Sequence, residues 1–354
     1  MRVRVDNLAT GVVLEDDIYS LTSRPIIKRG TELTEEHIQL LNAFMVREVK
    51  IKEQIFQKDT ENDSSEVKHT PKQEKGFDVL YRNAVSTYKI LFNNWQAGSA
   101  IDIYKLRNVI VPLVDRALEN PRCLFSLHYY SNVQDYIYHH AVSVSIISSL
   151  IAKRLSFSKG DIIQIGLAGA LIDCGMSKIQ PRILMKKSSL SQLEFDEVKE
   201  HPTLGFKMLK RTTGIKEDVM LSVLQHHERE DGSGYPLGIK GMQIHTFSRI
   251  VAIADVFHAM TSERLYRGKQ SPFKVLEQML KDQFGKFDPK ALSMLVNEFT
   301  NLSIGTKVFL TNGKSGEIVF IEPQSPTRPM IKLDGNGEIL VLKQQSDLYI
   351  ESIR

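Results

Sequence analysis

The sequence predicts a multidomain protein: a mainly α central helical bundle, a small N-terminal α+β domain and a small C-terminal all-β domain. Three observations predict it. From Phe77 to Asn301 apolar residues recur at the helical period almost throughout, and after Asn301 the period drops to two. Between the N-terminal segment and the bundle lies a polar stretch in which Val67 is the one aliphatic residue, too little to fold by itself. The boundaries expected are 1–57 for the α+β domain, 58–76 for a flexible linker, 77–301 for the bundle and 302–354 for a small β-barrel-like domain.

In chain order, the first domain alternates short β-prone runs with Gly and charged turns. One helix follows Thr34, with Glu35 and Glu36 in its first turn and Ile38, Leu41 and Met45 on one face. Inside the bundle, Ser191-Gln192-Leu193-Glu194 has the form of a capping box, in which the Ser and Glu satisfy each other's free backbone donors. In the last domain, Val308–Leu310, Ile318–Ile321, Met330–Leu333 and Ile339–Leu342 read as strands. Asp334-Gly335-Asn336-Gly337 is a hairpin signal between the last two. Neither a repeat nor a heptad series is evident.

Composition excludes several functions. With 354 residues, 42% hydrophobic and 25% charged, the chain can bury a sizeable core. A formal net charge of +4, spread through both signs, is too small to make a nucleic acid polymer or an anionic membrane the main partner. The two cysteines, Cys123 and Cys174, argue against a disulfide framework and for a reducing compartment. No apolar run is long enough to span a membrane and none resembles a signal peptide, so a cytoplasmic location is expected.

The chemistry-bearing residues recur along the bundle. His140 shares a helical face with Val144, Ile147 and Ile151; alone, such a histidine is an ordinary hydrogen-bonded core residue. Asp173 and Asp255 each sit in an apolar run with no Lys or Arg before or after them within a turn, respectively. A buried carboxylate in such surroundings requires a partner, and a cation would serve. His201 opens His-Pro-Thr-Leu-Gly at a helix start, and His226 and His227 open a run ending Gly234-Tyr235-Pro236. One or two such groups on each of five successive helical segments would build a dinuclear site in the bundle core, with Fe, Mn, Zn or Ni suited to the mixed imidazole and carboxylate donors.

The run His226-His227-Glu228-Arg229-Glu230-Asp231-Gly232-Ser233-Gly234-Tyr235-Pro236 meets every fixed position of HHExxDGxGYP, the defining motif of the HD-GYP family. Residues from about Ser126 to Thr300 resemble one complete domain of that family, roughly half the chain. The resemblance implies an HD-domain-like bundle and makes His140, Asp173, His201, His226, His227 and Asp255 metal ligands. It extends to Arg264, Tyr266 and Arg267, whose basic groups would hold phosphate, and to Phe287-Asp288-Pro289 before the final helix. It implies a bacterial signalling enzyme: a metal-dependent phosphodiesterase for cyclic di-GMP or a related cyclic dinucleotide, with a dinuclear centre of Fe or Mn.

Some positions depart from the family. Ile172 replaces the histidine of the HD pair, leaving Asp173 alone and weakening one metal site. Met176 replaces a lysine near the substrate phosphate, and Lys178, two residues on, is the candidate to restore the charge beside Asp173 in the catalytic set. Gly234, Tyr235 and Pro236, with Arg264 and Arg267, form the expected substrate site. His258, where the family usually has Asp, is either a substitute polar partner for the substrate loop or part of an exposed helix face, of which the second is expected. These departures give the alternative of a catalytically degenerate module that binds a cyclic dinucleotide or a protein partner without hydrolysis. The terminal domains are expected to contact protein partners or to support a homodimer.

Overall fold

A computed structural model describes residues 2–5, 12–19, 25–43, 46, 48–51, 76–186, 188–263, 268–281 and 285–353. Its contacts divide into two compact units, Met1–Lys72 and Gln73–Arg354. The expected linker, apart from Gly76, and Met45, Arg264, Tyr266 and Arg267 lie outside the described residues.

The first unit has two antiparallel strand pairs and one helix. Strand β1 (Arg2–Arg4) pairs with β4 (Glu48–Lys50), and β2 (Ile18–Tyr19) with β3 (Pro25–Ile27). Helix α1 (Glu35–Ala43) starts after Thr34, whose Oγ1 accepts the backbone N–H of His37 at 3.4 Å. Leu14, Ile18, Ile27, Leu33, Leu41 and Val49 close a small core.

In the second unit, α2 (Phe77–Gln96) and α3 (Ile103–Glu119) precede the short α4 (Leu127–Tyr130). Helix α5 (Tyr136–Arg154) then enters the middle of the bundle. Every residue of α5 from His140 to Ala152 is buried, serines included. It is therefore enclosed on all sides and has no single inward face, unlike the amphipathic helix expected around His140. Helix α6 (Lys159–Leu171) packs along it. Then come α7 (Pro181–Leu184), α8 (Gln192–Lys199), α9 (His201–Leu209), α10 (Glu217–Gln225), α11 (Thr246–Thr261), α12 (Pro272–Lys281) and α13 (Pro289–Thr300). The capping box forms as expected: Glu194 N–H donates to Ser191 Oγ at 3.3 Å, and Ser191 N–H to Glu194 Oε2 at 2.7 Å.

Strands β5 (Lys307–Leu310), β6 (Ser315–Phe320), β7 (Met330–Leu333), β8 (Ile339–Val341) and β9 (Ile350–Ile353) form one antiparallel sheet in the order β8-β7-β6-β5-β9. The Asp334–Gly337 turn joins β7 to β8 as its residues predict, with Ile331 opposite Leu340. The strands at the two ends of this order are not paired to each other, so the ladder is a sheet where a barrel-like closure was expected. Nor does 302–354 stand apart. Val308, Ile318, Ile331 and Ile350 join the bundle's apolar core, and Arg328 forks onto Glu277 of α12 at 2.5 and 2.8 Å. Among the described residues no helix is long and apolar enough to cross a membrane, and both cysteines are free and buried.

Candidate metal centre

The bundle brings all six expected ligand residues together. Asp173 sits directly beyond α6, ahead of a single 3₁₀ turn, Cys174–Lys178. That turn packs against the first turn of α9 because residue 175 is glycine: a Cβ there would lie 2.0 Å from the His201 carbonyl oxygen. The close approach leaves Asp173 Oδ1 3.3 Å from His201 Nε2, while Asp173 Oδ2 is 3.6 Å from His140 Nε2. Asp255, buried within α11, has Oδ1 3.0 Å from His140 Nε2 and Oδ2 3.8 Å from His227 Nδ1. Each carboxylate thus spans from His140 to the other histidines.

His201, His226 and His227 present nitrogens within 4.8 Å of one another, a group that could hold a metal ion. Their orientation is fixed from behind. His201 Nδ1 donates to the Val198 carbonyl at 2.7 Å and His226 Nδ1 to the Val223 carbonyl at 2.8 Å, since a carbonyl can only accept. Both are buried, and burial lowers each imidazole from its ordinary value to about 4, so both are neutral near pH 7. With the proton on Nδ1, each Nε2 presents a lone pair to the centre, as a metal ligand must. His227 is lowered too, by burial and then by His226. For Asp255, burial raises the pKa, but the His140 hydrogen bond and neighbouring imidazoles outweigh it and hold the carboxyl well below its usual range.

The motif loop lies over this cluster. Tyr235 stacks on His227 with ring centroids 4.6 Å apart and 24° between planes. Burial, with Asp255 and Asp173 next, raises the Tyr235 phenol and keeps it protonated. Gly234 permits the arrangement: a Cβ would meet the His227 carbonyl oxygen at 2.4 Å and Glu228 Cα at 2.5 Å. Glu228, buried, accepts the Leu237 N–H at 2.6 Å and so ties the residue after Pro236 to the histidine turn. Arg229 donates to the carbonyls of His226 and Glu228 at 3.1 and 2.8 Å, with its guanidinium carbon 5.2 Å from the centre of the Phe287 ring. Asp288 caps α13 by accepting the Ala291 N–H at 2.8 Å, which gives the Phe-Asp-Pro stretch a supporting role beneath the loop.

Two expectations are corrected. Lys178 is exposed, and its ammonium donates to the Trp95 carbonyl at the end of α2, which also accepts the Gly98 N–H at 3.0 Å; that contact takes the charge expected for phosphate. Ile172 is fully buried in the apolar core. His258 is not on an exposed face: only 1% of it is accessible, and its Nδ1 lies 2.9 Å from His140 Nδ1. Tyr136, one turn before His140, was also missed and places its hydroxyl 3.1 Å from His140 Nδ1; its i−4 spacing was the available signal.

A sequence profile described as HD domain matches residues 128–291. A cyclic di-GMP phosphodiesterase of Pseudomonas aeruginosa is 30% identical over 272 residues, 76% of this chain and 66% of that protein. A cyclic di-GMP phosphodiesterase response regulator of Xanthomonas campestris is 34% identical over 43% of this chain and 41% of its own length. The chain thus spans less than two thirds of each relative. In three dimensions, an HDG"Y"P protein of Bdellovibrio bacteriovorus shares the fold with a TM-score of 0.55 and 15% identity, over 84% of this chain and 99% of that one. With its loop seated on the histidine cluster, the chain carries an HD domain together with the HHExxDGxGYP motif of the HD-GYP family.

Proposed function

We propose that this protein is a metal-dependent phosphodiesterase that hydrolyses cyclic di-GMP or a related cyclic dinucleotide. The observation that carries the proposal is the convergence of unprotonated His201 Nε2 and His226 Nε2, 3.1 Å apart, with Asp173 Oδ1 3.3 Å from the former. Three electron-pair donors facing one point repel one another unless a cation lies among them, so the residues fit a metal.

Asp173, His201, His226 and His227 would hold one ion. His140, Asp173 and Asp255 would contribute to another, with Fe or Mn as the expected metal. Bound there, the metal supplies positive charge against the phosphodiester and acidifies water at the site. The chain's own groups do the rest. Carbonyls of Val198 and Val223 fix the imidazoles, while Glu228 and Gly234 hold the Gly234-Tyr235-Pro236 loop over the site. The Tyr235 ring offers a face for a base, and Arg264 and Arg267 are proposed to neutralise phosphate. Relatives named for cyclic di-GMP, and one of Vibrio cholerae named as 3′3′-cGAMP-specific and 32% identical over 46% of this chain, support the substrate class.

A second reading, a nucleotide-binding module that no longer hydrolyses, is favoured by the burial of Ile172 in the apolar core and by the engagement of Lys178 with Trp95. The test is metal content of the anaerobically purified protein, followed by cyclic di-GMP turnover with Fe or Mn supplied. About two ions per chain with linear product formation supports the enzyme; saturable nucleotide binding without product supports the module, and the absence of both overturns the metal reading.

A further inference from the structure

The metal reading leaves one buried imidazole without a task. His140 must present Nε2 as a lone pair to act as a ligand, which requires its single neutral-state proton to lie on Nδ1. Yet Asp255 Oδ1, 3.0 Å from Nε2, pulls that proton the other way. The tautomer therefore depends on what meets Nδ1. His201 and His226 have backbone carbonyls there; the contacts of His140 Nδ1 are His258 Nδ1 at 2.9 Å and the Tyr136 hydroxyl at 3.1 Å.

We propose that His258 is a positioning residue: its Nδ1 accepts the Nδ1 proton of His140 and keeps His140 Nε2 free for a cation beside Asp173 and Asp255. This inference rests on the metal reading above. For His258 Nδ1 to accept, the proton of His258 itself must lie on Nε2, and Ser262 Oγ, 3.2 Å away, is placed to receive it. The pair is held firmly. His258 and Ser262 are each 1% exposed, and Ser262 N–H donates to the His258 carbonyl at 3.1 Å, which keeps the last turn of α11 wound around the contact. Tyr136 stacks near both imidazoles, with centroids 5.2 Å from His140 and 6.4 Å from His258 at tilts of 26° and 28°. The run Ser262, His258, His140 thus performs for the third imidazole what Val198 and Val223 perform for the other two, with side chains in place of carbonyls. An imidazole can donate as well as accept, so this support is weaker than a carbonyl's.

The test is Zn²⁺ affinity of the full chain, by competition with a chromophoric chelator, in wild type, His258→Phe, His258→Asp and Ser262→Ala. Imidazole N–H resonances are recorded on Zn²⁺-loaded, histidine-labelled protein. Losing the acceptor in His258→Phe should weaken binding by about 10- to 100-fold, the range for removal of a partner that orients a metal-bound histidine. It should also abolish a slowly exchanging Nδ1–H signal of His140. His258→Asp, a pure acceptor, should restore both, and Ser262→Ala, which is less disruptive to folding, should show an intermediate loss. Equal affinity and an unchanged signal in His258→Phe and Ser262→Ala would overturn the inference and leave the metal reading standing. So would a loss that His258→Asp does not repair, which would mark His258 as packing alone. Wild-type protein that binds no Zn²⁺ would remove both.

Discussion

His201 Nε2 and His226 Nε2 lie 3.1 Å apart, and in their neutral forms neither carries a proton to place between them, because each imidazole has donated its Nδ1–H to a carbonyl three residues back. The two carbonyls belong to the backbone at the ends of α8 and α10, so the clash of lone pairs is written into the helices. The fold holds this arrangement ready for a cation, and its acid response follows from the same geometry.

Stability of the metal-stripped protein should fall as the pH drops from about 6.5 toward about 4. Burial lowers the folded-state values of His201 and His226 to about 4, against an ordinary 6.5. Below 6.5 the unfolded chain takes up protons that the folded chain refuses; above 6.5 both states are neutral and this contribution is complete. The slope is roughly 1.4 kcal/mol per pH unit for each group, so these two alone should make the protein on the order of 2–4 kcal/mol less stable to urea at pH 5.0 than at pH 7.5, and His227 and His128, lowered by burial as well, act in the same direction. Asp255 is depressed in the folded state, so its contribution is lost only at still lower pH, outside this window. Equal stability at the two pH values would show that an imidazole already carries a second proton in the native state.

Gly234→Ala should displace the motif loop. Its Cβ would lie 2.4 Å from the His227 carbonyl oxygen and 2.5 Å from Glu228 Cα, both rigid neighbours. Forcing such a contact costs about 1–3 kcal/mol. Urea denaturation reads the stability loss, and cyclic di-GMP binding by calorimetry should weaken because Tyr235 can no longer stack on His227. A variant of native stability and affinity would mean that the loop reaches its position without the close approach.

The motif residues were legible in the sequence because they are contiguous, and Asp173 and Asp255 because carboxylates in apolar runs without local cations must be matched across the fold. What sequence periodicity could not resolve was direction within α5 and α11. Helix α5 is buried on all sides from His140 to Ala152 and α11 is half-buried rather than open on its outer side, so neither has a polar face to orient it; the inward stripe assigned to His140 was only part of the buried surface, and His258 was mistaken for an exposed residue. Lys178 went astray for a similar reason: its partner, the Trp95 carbonyl, is 83 residues away in the chain and appears only when α2 packs beside the 3₁₀ turn. The β strands were readable from alternation and the Asp-Gly-Asn-Gly turn, whereas their fusion to the bundle rests on contacts distant in the chain, a shared apolar core and one long-range arginine among them.

Replacing that arginine should loosen the sheet from the helices. Arg328 grips both oxygens of Glu277 and donates to the carbonyls of Gln345 and Leu348 at 2.8 Å each. Arg328→Met leaves a buried carboxylate unpaired, which costs about 3–5 kcal/mol. The double variant Glu277→Met, Arg328→Met removes both charges and should be closer to wild type. Thermal denaturation of the four proteins gives the coupling; additive effects would show that the fork contributes nothing beyond its separate side chains.

Ile172→His should make the protein less stable without metal and more responsive to it. Ile172 is fully buried, one residue before Asp173, and belongs to the apolar core. An imidazole there is deprived of water and, in the metal-free protein, has no assured partner, a penalty of roughly 1–3 kcal/mol. A cation beside Asp173 would supply the partner, so Mn²⁺ should raise the melting temperature of Ile172→His by more than it raises that of wild type. Adding Met176→Lys should then increase cyclic di-GMP turnover, because the ammonium restores charge near the phosphate. If Mn²⁺ stabilises both proteins equally, the side chain at 172 points away from the ligand cluster. Ile172 is then part of the core packing alone, and the 3₁₀ turn itself would have to be rebuilt before metal affinity could rise.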